Sequence, residues 1–475
     1  LQVSDKNGQV FVSDKLLQIF ANKHTVNEVA ENAYNIESVV DLDCDGLPEL
    51  LTRNGVYEYS GDGRYTKLKK IYNTNLEFEN TLVADVNRDG IPDIFSYDYI
   101  EVEHTFLLNA GSKNLEIEKR TGPSRPFDSD KISADLNHDG FIDVVSTQLH
   151  INSGDYLNYE CISLGGIYAD IDKDGFLDFV ENRVDPENGK YSVKCHFNSG
   201  CGSFDCVGIP ITAHGFNADT WFDIMDVADM DNDGYLDILT MKNYNTVLIL
   251  LNNTNTAFDR VVEVSLPYRA EKIYKLDLDN NGYLDILVPE EEGYKSYLRT
   301  IYFYDNLNYE FGPRQELEST LFNFMTDVNN DGTPDLPYNL EETIINHTKI
   351  SNKRPLPPAN IRSTQNASFV TIQWDAAYDA ETPYKQMRYN ISVKKQGASG
   401  EGAYIISPMN NMCDEATITP KFQYTSATTY SIPLTAIPAG KYEVCVQAID
   451  GWGATSKFSE IYMLTVETSV QISVP

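Results

Sequence analysis

Short apolar runs alternate with polar, glycine-rich turns along most of the chain. The runs at residues 81–84 and 94–95, and the pair Val144-Val145, consist largely of β-branched, aliphatic and aromatic residues, as strands do. Each run lies next to a turn that contains Asp, Asn and Gly, the residues that favour tight turns. The pattern therefore predicts an all-β protein built from short strands.

These turns repeat one pattern of nine residues, Asp-x-(Asp/Asn)-x-(Asp/Asn)-Gly-x-x-(Asp/Glu), seven times. The copies begin at Asp41, Asp85, Asp135, Asp170, Asp229, Asp277 and Asp327. Their spacing ranges from 35 to 59 residues with a mean of about 48, which is the length of a propeller blade. Each copy therefore marks one supersecondary unit, and its loop joins two adjacent strands.

Most repeats continue with a second apolar run, an Asn-rich turn and an aromatic residue, as in residues 106–109 and 247–258. This order predicts a meander of four strands per repeat. Such units cannot bury both faces alone, whereas radial stacking buries them and leaves only short edges. We expect a seven-bladed β-propeller, with an eighth, degenerate blade as the structural alternative.

The two ends of the repeat region are each too short for a full blade. About 16 residues, 336–351, separate the seventh loop from the Pro-rich stretch 354–358, which is enough for two strands. Residues 9–12 and 16–22 resemble the later half of a repeat that has no loop before it. We expect these N-terminal strands to complete the last blade of a propeller over residues 1–351, with a linker over 352–358.

The loop composition predicts calcium sites. Side-chain oxygens at positions 1, 3 and 5, a main-chain carbonyl at 7 and a carboxylate at 9 form the oxygen cage that Ca²⁺ prefers. An EF-hand is excluded because its bidentate Glu at position 12 occurs in only one of the seven copies and the flanks alternate like strands. Metal-free Asp/Gly turns are the other alternative. The expected ligands of up to seven Ca²⁺ are Asp41, Asp43, Asp45, Leu47, Glu49; Asp85, Asn87, Asp89, Ile91, Asp93; Asp135, Asn137, Asp139, Phe141, Asp143; Asp170, Asp172, Asp174, Phe176, Asp178; Asp229, Asp231, Asp233, Tyr235, Asp237; Asp277, Asp279, Asn281, Tyr283, Asp285; and Asp327, Asn329, Asp331, Thr333, Asp335.

The segment from Asp229 to Leu239, with its six siblings, resembles the FG-GAP/VCBS repeat of integrin-α-type propellers. The resemblance covers residues 1 to about 350 and implies structural calcium sites on one face of the ring. The Gly-Ala-Pro triplet of the family is absent and Phe-Gly occurs only at residues 311–312, so the chain is closer to the bacterial form of the repeat. Integrin-like ligand specificity does not follow.

The repeat pattern stops before residue 359, and apolar and polar residues then alternate over residues 371–374, 389–393 and 440–450. Such alternation predicts the half-buried strands of a sandwich. Trp374 on an early strand and Tyr442 near the start of a late strand resemble the core tryptophan and tyrosine corner of fibronectin type III domains, which have an immunoglobulin-like β-sandwich fold. We expect this domain over residues 359–475, as a spacer or as an interaction module.

Composition narrows the classes of partner that the protein can bind. The chain has 37 Lys and Arg against 71 Asp and Glu, a formal charge of -34, which argues against nucleic-acid binding and against adsorption to anionic membranes. The seven loops hold 24 of these acids, so seven Ca²⁺ would reduce the formal charge to -20. No apolar run is long enough for a transmembrane helix, and the N-terminus has no signal-peptide pattern. Any export signal has therefore been removed or was never present. We expect a monomeric protein that is secreted or lies at the cell surface, with outer-membrane anchoring through a removed N-terminal signal as one option.

Seven cysteines are an odd number, so at least one thiol is unpaired within the chain. Cys195 and Cys206 flank a turn-like stretch and are candidates for a bridge across a hairpin. A zinc site that also uses His196 and Cys201 is disfavoured, because paired CxxC spacing is missing.

The sequence contains no HExxH, GxSxG or P-loop motif, and calcium explains the paired carboxylates better than acid–base catalysis does. We therefore expect a non-catalytic adhesion or binding protein that contacts a protein or carbohydrate ligand through the face opposite the calcium loops. A calcium-dependent polysaccharide lyase or hydrolase is the alternative. The long interval after the fourth loop and the turns expected on that face supply the candidate ligand contacts. The alternative is that this interval is an irregular surface loop whose Trp221 packs inward. The candidate contacts are Arg183, His214, Phe216, Trp221, Arg125, Tyr244 and Tyr294.

Overall fold

The protein is described here from a computed structural model of all 475 residues. The structure describes residues 2–4, 10–12, 19–23, 36–43, 48–52, 55–59, 65–67, 81–98, 103–109, 115–120, 132–145, 149–152, 159–162, 166–184, 191–198, 209–211, 222–252, 258–270, 272–277, 281–291, 299–304, 306, 310–313, 315–317, 335–337, 342–346, 352–408 and 424–467.

The fold is all-β, as the sequence predicts, and these ranges contain no helix. Accordingly, no helix in the described ranges is long and apolar enough to cross a membrane.

Five antiparallel sheets of four strands follow one another along the chain, with the strands paired in sequence order. The first comprises Ile36–Val40, Glu49–Thr52, Gly55–Tyr59 and Tyr65–Lys67. The second comprises Leu82–Ala84, Asp93–Asp98, Glu103–Asn109 and Leu115–Arg120. The third comprises Ile132–Ala134, Asp143–Val145, Leu149–Asn152 and Tyr159–Ile162. The fourth comprises Ile167–Ala169, Asp178–Val184, Tyr191–His196 and Ile209–Ile211, and the fifth comprises Phe222–Ala228, Asp237–Lys242, Thr246–Asn252 and Phe258–Ser265.

A sixth sheet has the same plan, except that two short strands, Arg269–Ala270 and Tyr274–Leu276, both pair with Asp285–Glu291. Its outer strands are Arg299–Tyr304 and Gln315–Leu317. In the first five sheets the acidic loop joins the first strand to the second, and in the sixth it joins Tyr274–Leu276 to Asp285–Glu291, so all six loops lie at the same end of their sheets. The four-stranded meander expected for each repeat is thus confirmed for the first five sheets, and the sixth has one additional short strand.

The seventh sheet combines the two ends of the repeat region. Leu336–Pro337 pairs with Glu342–Asn346, which in turn pairs with the N-terminal strand Ile19–Lys23. The other N-terminal segment, Val10–Val12, does not join this sheet, contrary to the expectation that both segments do, and pairs with Gln2–Ser4 instead. Closing a short local loop has a low entropic cost, which favours this hairpin over a second long-range pairing.

The repeat sheets pack on one another through apolar side chains. The first strands of neighbouring sheets contact each other, as the strand Leu82–Ala84 does with the first strands of the sheets before and after it along the chain. Leu239 and Ile249 of the fifth sheet pack with Ile286 and Val288 of the sixth in one buried cluster. Apolar burial between sheets is therefore the main stabilising contribution to the repeat region.

The C-terminal residues form two facing sheets. One contains Ala359–Gln365, Phe369–Asp375 and Thr429–Pro433; the other has the order Tyr404–Ile406, Arg388–Lys395, Gly440–Ile449 and Tyr462–Val466. Both sheets contribute to one core, in which Trp374 is 1% exposed and meets Tyr389 edge-on with ring centroids 5.4 Å apart. The hydroxyl of Tyr442 donates a hydrogen bond to the carbonyl oxygen of Pro438 at 2.6 Å, which is the bond of a tyrosine corner.

Candidate functional site

Side chains of the acidic loops accept hydrogen bonds from main-chain N–H groups of the same loop. In the fifth loop, Asp229 at position 1 accepts hydrogen bonds from the main-chain N–H groups of Asp233 and Gly234, at 3.1 and 2.8 Å. Asp233 at position 5 accepts one from the N–H of Tyr235 at 2.8 Å. The second, third and sixth loops repeat all three contacts. The side-chain oxygens at positions 1 and 5, which are carboxylate oxygens except for the amide oxygen of Asn281, therefore bend the main chain around themselves.

Left-handed backbone at two positions completes the second to fifth turns. Position 4 has a positive φ in four loops, at Arg88, His138, Lys173 and Asn232, with values between 53° and 63°. Gly140 at position 6 has a φ of +87°, and a Cβ there would also collide with the carbonyl oxygen of Ile405. The glycine of the motif is thus needed for the turn and for the close approach of a neighbouring segment.

The carboxylate at position 9 connects the loop to its sheet. In the fifth loop, Asp237 accepts a bond from the N–H of Met230 at 2.7 Å and another from the N–H of Asn252, at the end of the third strand, at 2.8 Å. The same pair of bonds recurs in the second, third and fourth loops. The amides of Asn109, Asn198 and Asn306 also donate to a carbonyl of an earlier loop. The sequence did not indicate that this Asn connects neighbouring loops, although an Asn lies at or just after the end of the third strand in repeat after repeat.

Three of the loops gather carboxylates closely enough to hold a metal ion. Carboxylate oxygens at positions 1, 3 and 9 lie within 4.8 Å of one another in the following three sets: Asp41, Asp43 and Glu49; Asp170, Asp172 and Asp178; and Asp229, Asp231 and Asp237. In the fourth loop, Oδ1 of Asp170 is buried and has no hydrogen-bond partner. A buried carboxylate oxygen that lacks a donor is costly unless a cation compensates it. The all-oxygen donor set therefore fits a hard divalent cation.

The second and third loops have Asn at position 3 and are strongly desolvated. Burial raises the pKa of Asp85 to about 7 and that of Asp135 to about 8. Nearby carboxylates add to this effect, Asp89 in the first case and Asp139 in the second. These groups favour a proton or a cation over bare ionisation at neutral pH.

Neighbouring loops contact each other in order around the repeat region. The guanidinium of Arg88 lies 3.9 Å from the ring centroid of Phe141, and the ammonium of Lys173 lies 4.1 Å from that of Tyr235. His138 packs on Phe176 with centroids 4.4 Å apart. In each pair, position 4 of one loop meets position 7 of the next, so the second to fifth loops form a continuous row.

The C-terminal sandwich lies on this row. The N–H groups of Gly402 and Tyr404 donate to the carbonyl oxygens of Asn87 and Arg88 in the second loop, at 2.9 and 3.1 Å. Tyr430 stacks on His138 of the third loop with centroids 3.9 Å apart. Further contacts reach the fourth, fifth and sixth loops through Phe369, Lys385 and Trp452. The sandwich therefore covers this face at the second to sixth loops.

Several predicted site residues fall outside the described ranges. Among the expected metal ligands they are Asp45, Leu47, Asp279, Asp327, Asn329, Asp331 and Thr333, and among the expected ligand contacts Arg125, His214, Phe216, Trp221 and Tyr294. Arg183 lies in the strand Asp178–Val184. All the assignments of metal ligands and ligand contacts, including those at the position-7 carbonyls, stay predictions.

Tyr244 is the expected ligand contact that the structure describes in full. It lies in the turn between the second and third strands of the fifth sheet, with a φ of +62°. That turn is at the end of the sheet opposite the acidic loop, as expected. The guanidinium of Arg269 lies 4.1 Å from the ring centroid of Tyr244, a cation–π pair that the sequence did not suggest.

Cys195 is a buried free thiol, so the candidate bridge to Cys206 is not formed. Its side chain lies in an apolar cluster, which raises the pKa of the thiol. His196, the next residue, bonds to Glu181 at 3.0 Å. Successive residues of a strand point to opposite faces, which keeps this pair from sharing a zinc ion.

Comparison with known proteins gives one family match, and it is local. A model of the FG-GAP-like repeat matches residues 229–288, which include the fifth and sixth acidic loops. No curated protein matches the chain.

Solved structures resemble the chain only distantly. A lectin from Agrocybe aegerita, described as recognising non-reducing terminal N-acetylglucosamine, is 18% identical with a TM-score of 0.43, over 60% of this chain and 80% of the lectin. The extracellular domain of a hybrid two-component system from B. thetaiotaomicron is 11% identical with a TM-score of 0.40, over 76% of this chain. The chain covers 47% of that domain. A protein from Lactobacillus plantarum is 11% identical with a TM-score of 0.37, over 68% of this chain and 90% of the other.

Proposed function

We propose that the protein is an extracellular calcium-binding surface protein that binds a protein or carbohydrate ligand without catalysing a reaction. The observation that carries the proposal is the recurrence of one acidic loop at the same end of successive sheets, with three carboxylates within 4.8 Å in three of the loops. All the donors are oxygens, which favours Ca²⁺ over softer metals. In this proposal the ions are structural and occupy up to seven loops.

The proposed architecture is a seven-bladed β-propeller followed by a fibronectin type III-like sandwich. Six similar sheets and a seventh shared by both ends of the repeat region support the propeller. The hydrogen bond from Tyr442 to Pro438 and the buried Trp374 support the type of sandwich.

The ligand site is proposed on the face opposite the calcium loops. Two features favour it: the sandwich covers the loop face, and Tyr244 with Arg269 presents a ring and a guanidinium at the other end of the fifth sheet. Aromatic rings stack on sugars and pack against protein side chains alike, so both ligand classes are compatible with this pair. We propose that the mature protein acts as a monomer, secreted or anchored at the cell surface.

Glycan arrays and turnover assays on the same polysaccharides test this proposal. Each assay uses the full chain in about 1 mM Ca²⁺, because extracellular calcium modules need roughly that concentration to be saturated. Binding without bond cleavage supports the proposal, and loss of binding in Tyr244→Ala, but not in the control Tyr268→Ala, would locate the site. Cleavage without binding would instead identify a carbohydrate-active enzyme.

The pH dependence of stability should differ between the metal-free and the calcium-loaded protein. Burial raises the pKa of Asp229 to about 7, that of Asp170 to about 8 and that of Asp237 to about 9, in each case well above the unfolded value. Without metal, the folded chain then holds protons that the unfolded chain releases, so stability rises as the pH falls from about 9 to about 4.

Calcium binding needs the ionised carboxylates, so the gain in melting temperature from calcium should shrink as the pH falls below about 7. Melting curves between pH 5 and 9, in EDTA and in calcium, measure both trends. A melting temperature in EDTA that drops steadily on acidification from pH 9 to pH 5 would contradict this assignment.

A further inference from the structure

The sandwich contacts the acidic loops mainly through donors that meet main-chain carbonyls. Gly402 and Tyr404 donate from the main chain to positions 3 and 4 of the second loop. The ammonium of Lys385 donates to the carbonyl of Asp233, position 5 of the fifth loop, at 2.6 Å. The indole N–H of Trp452 donates to the carbonyl of Asp277, position 1 of the sixth loop. In the third loop the sandwich also reaches a carboxylate, because the hydroxyl of Tyr430 donates to Oδ2 of Asp135 at 3.3 Å.

The inside of the same turns holds the carboxylates. Asp229 and Asp233 direct their side chains to main-chain N–H groups of their own loop, and Asp229, Asp231 and Asp237 converge within 4.8 Å. One loop backbone therefore serves two purposes. Its carboxylates gather oxygens for a cation, and its main-chain carbonyls accept hydrogen bonds from the sandwich, within a turn that depends on the same left-handed residues.

Without a cation, the side chains at positions 1, 3 and 9 lose the shared ion that would hold them together, and their carboxylates either take up a proton or repel one another, so the turn is free to open. Opening displaces the main-chain carbonyls and removes the acceptors that the sandwich uses. Because the loops also contact each other from position 4 to position 7, a change in one loop reaches its neighbour in the row.

We propose that the acidic loops form a docking surface for the C-terminal sandwich, and that calcium in the loops is required to keep the sandwich docked. This inference rests on the calcium sites of the proposed function. It adds that the two domains move relative to each other when calcium is lost, so the ion sets the position of the sandwich as well as the stability of the ring.

Hydrogen–deuterium exchange of the full chain tests docking directly. The amides of Gly402 and Tyr404 are protected by the second loop, whereas Val444 and Val446 lie in the central strand of a sandwich sheet. Chelation should accelerate exchange over residues 400–406 by at least about tenfold and leave residues 444–448 protected. Unchanged exchange over 400–406 in a chain that has released bound calcium would overturn the inference.

Reciprocity supplies a second test that does not depend on chelated protein. If calcium strengthens docking, then weakening docking must weaken calcium binding by the same factor. Lys385→Ala removes a docking bond and no carboxylate, so its calcium affinity should fall by about fivefold relative to wild type. Lys457→Ala removes an exposed lysine of the sandwich and serves as the matched control.

Charge alone predicts the opposite change in calcium affinity, because removing the lysine ammonium beside an acidic loop favours the binding of another cation. Tighter or equal calcium binding by Lys385→Ala, measured by calorimetry against Lys457→Ala, would therefore overturn the coupling while leaving the calcium sites intact. Failure of the wild-type chain to bind calcium would instead overturn the proposed function, and the inference with it.

Discussion

Removing divalent cations with EDTA at neutral pH should lower the melting temperature of the repeat region by at least about 15 °C. A site held at a hundred times its dissociation constant contributes about 2.7 kcal/mol to folding, so three occupied loops contribute about 8 kcal/mol. For a large domain, each kcal/mol corresponds to about 2–4 °C. Chelation also leaves converging carboxylates, desolvated by burial, without a counter-charge, so they must take up protons or repel one another.

Calorimetry with added Ca²⁺, Mg²⁺ or EDTA measures this effect. Calcium should restore the transition fully, whereas Mg²⁺ should restore it less, because its small octahedral shell fits a loop of fixed carboxylates poorly. The sandwich core around Trp374 contains no acidic loop and provides an internal reference. A chelated protein that melts at the same temperature as the calcium-loaded one would show that the loops are metal-free turns.

Asp237→Ala should destabilise the fold by about 3–5 kcal/mol even in EDTA. Asp237 is fully buried and accepts the N–H groups of Met230 and Asn252. Truncation leaves both donors without an acceptor inside the protein, and each unsatisfied donor costs about 1–3 kcal/mol. In calcium the loss should be larger, because a ligand disappears as well.

Asp231→Asn is the matched control. Asp231 lies in the same loop and its Oδ1 accepts the N–H of Asp233 at 3.2 Å, a bond that Asn retains. The control should therefore be close to wild type in EDTA and lose stability only in calcium. Urea denaturation of both variants in both conditions separates the two roles, and equal losses in EDTA would show that position 9 has no special structural part.

The repeat and its loops were predictable because they depend on side chains with a fixed chemical purpose. Asp at positions 1, 5 and 9 and Gly at position 6 recur in the sequence because the turn needs an acceptor or a left-handed residue at those points. Position 4 was not predictable, since Arg, His, Lys and Asn share only a backbone conformation there.

Docking of the sandwich could not be predicted from the sequence. Most of its acceptors are main-chain carbonyls, such as those of Asn87 and Arg88, which every residue type provides. The free thiol of Cys195 was unpredictable for a related reason, because spacing along the chain does not tell which face of a strand a residue occupies. The expectation for residues 9–12 was wrong because Val10–Val12 pairs with Gln2–Ser4, a short segment close to it in sequence.

The seventh sheet has a consequence for biosynthesis. Its strand Ile19–Lys23 leaves the ribosome early, whereas its partner Glu342–Asn346 is made more than 300 residues later. During that interval the early strand has an unsatisfied edge, open to pairing with another nascent chain. Exchange of this strand between two molecules would give an intertwined dimer with the same native contacts. When many copies are synthesised close together, a chaperone that binds the N-terminal segment would therefore prevent this exchange.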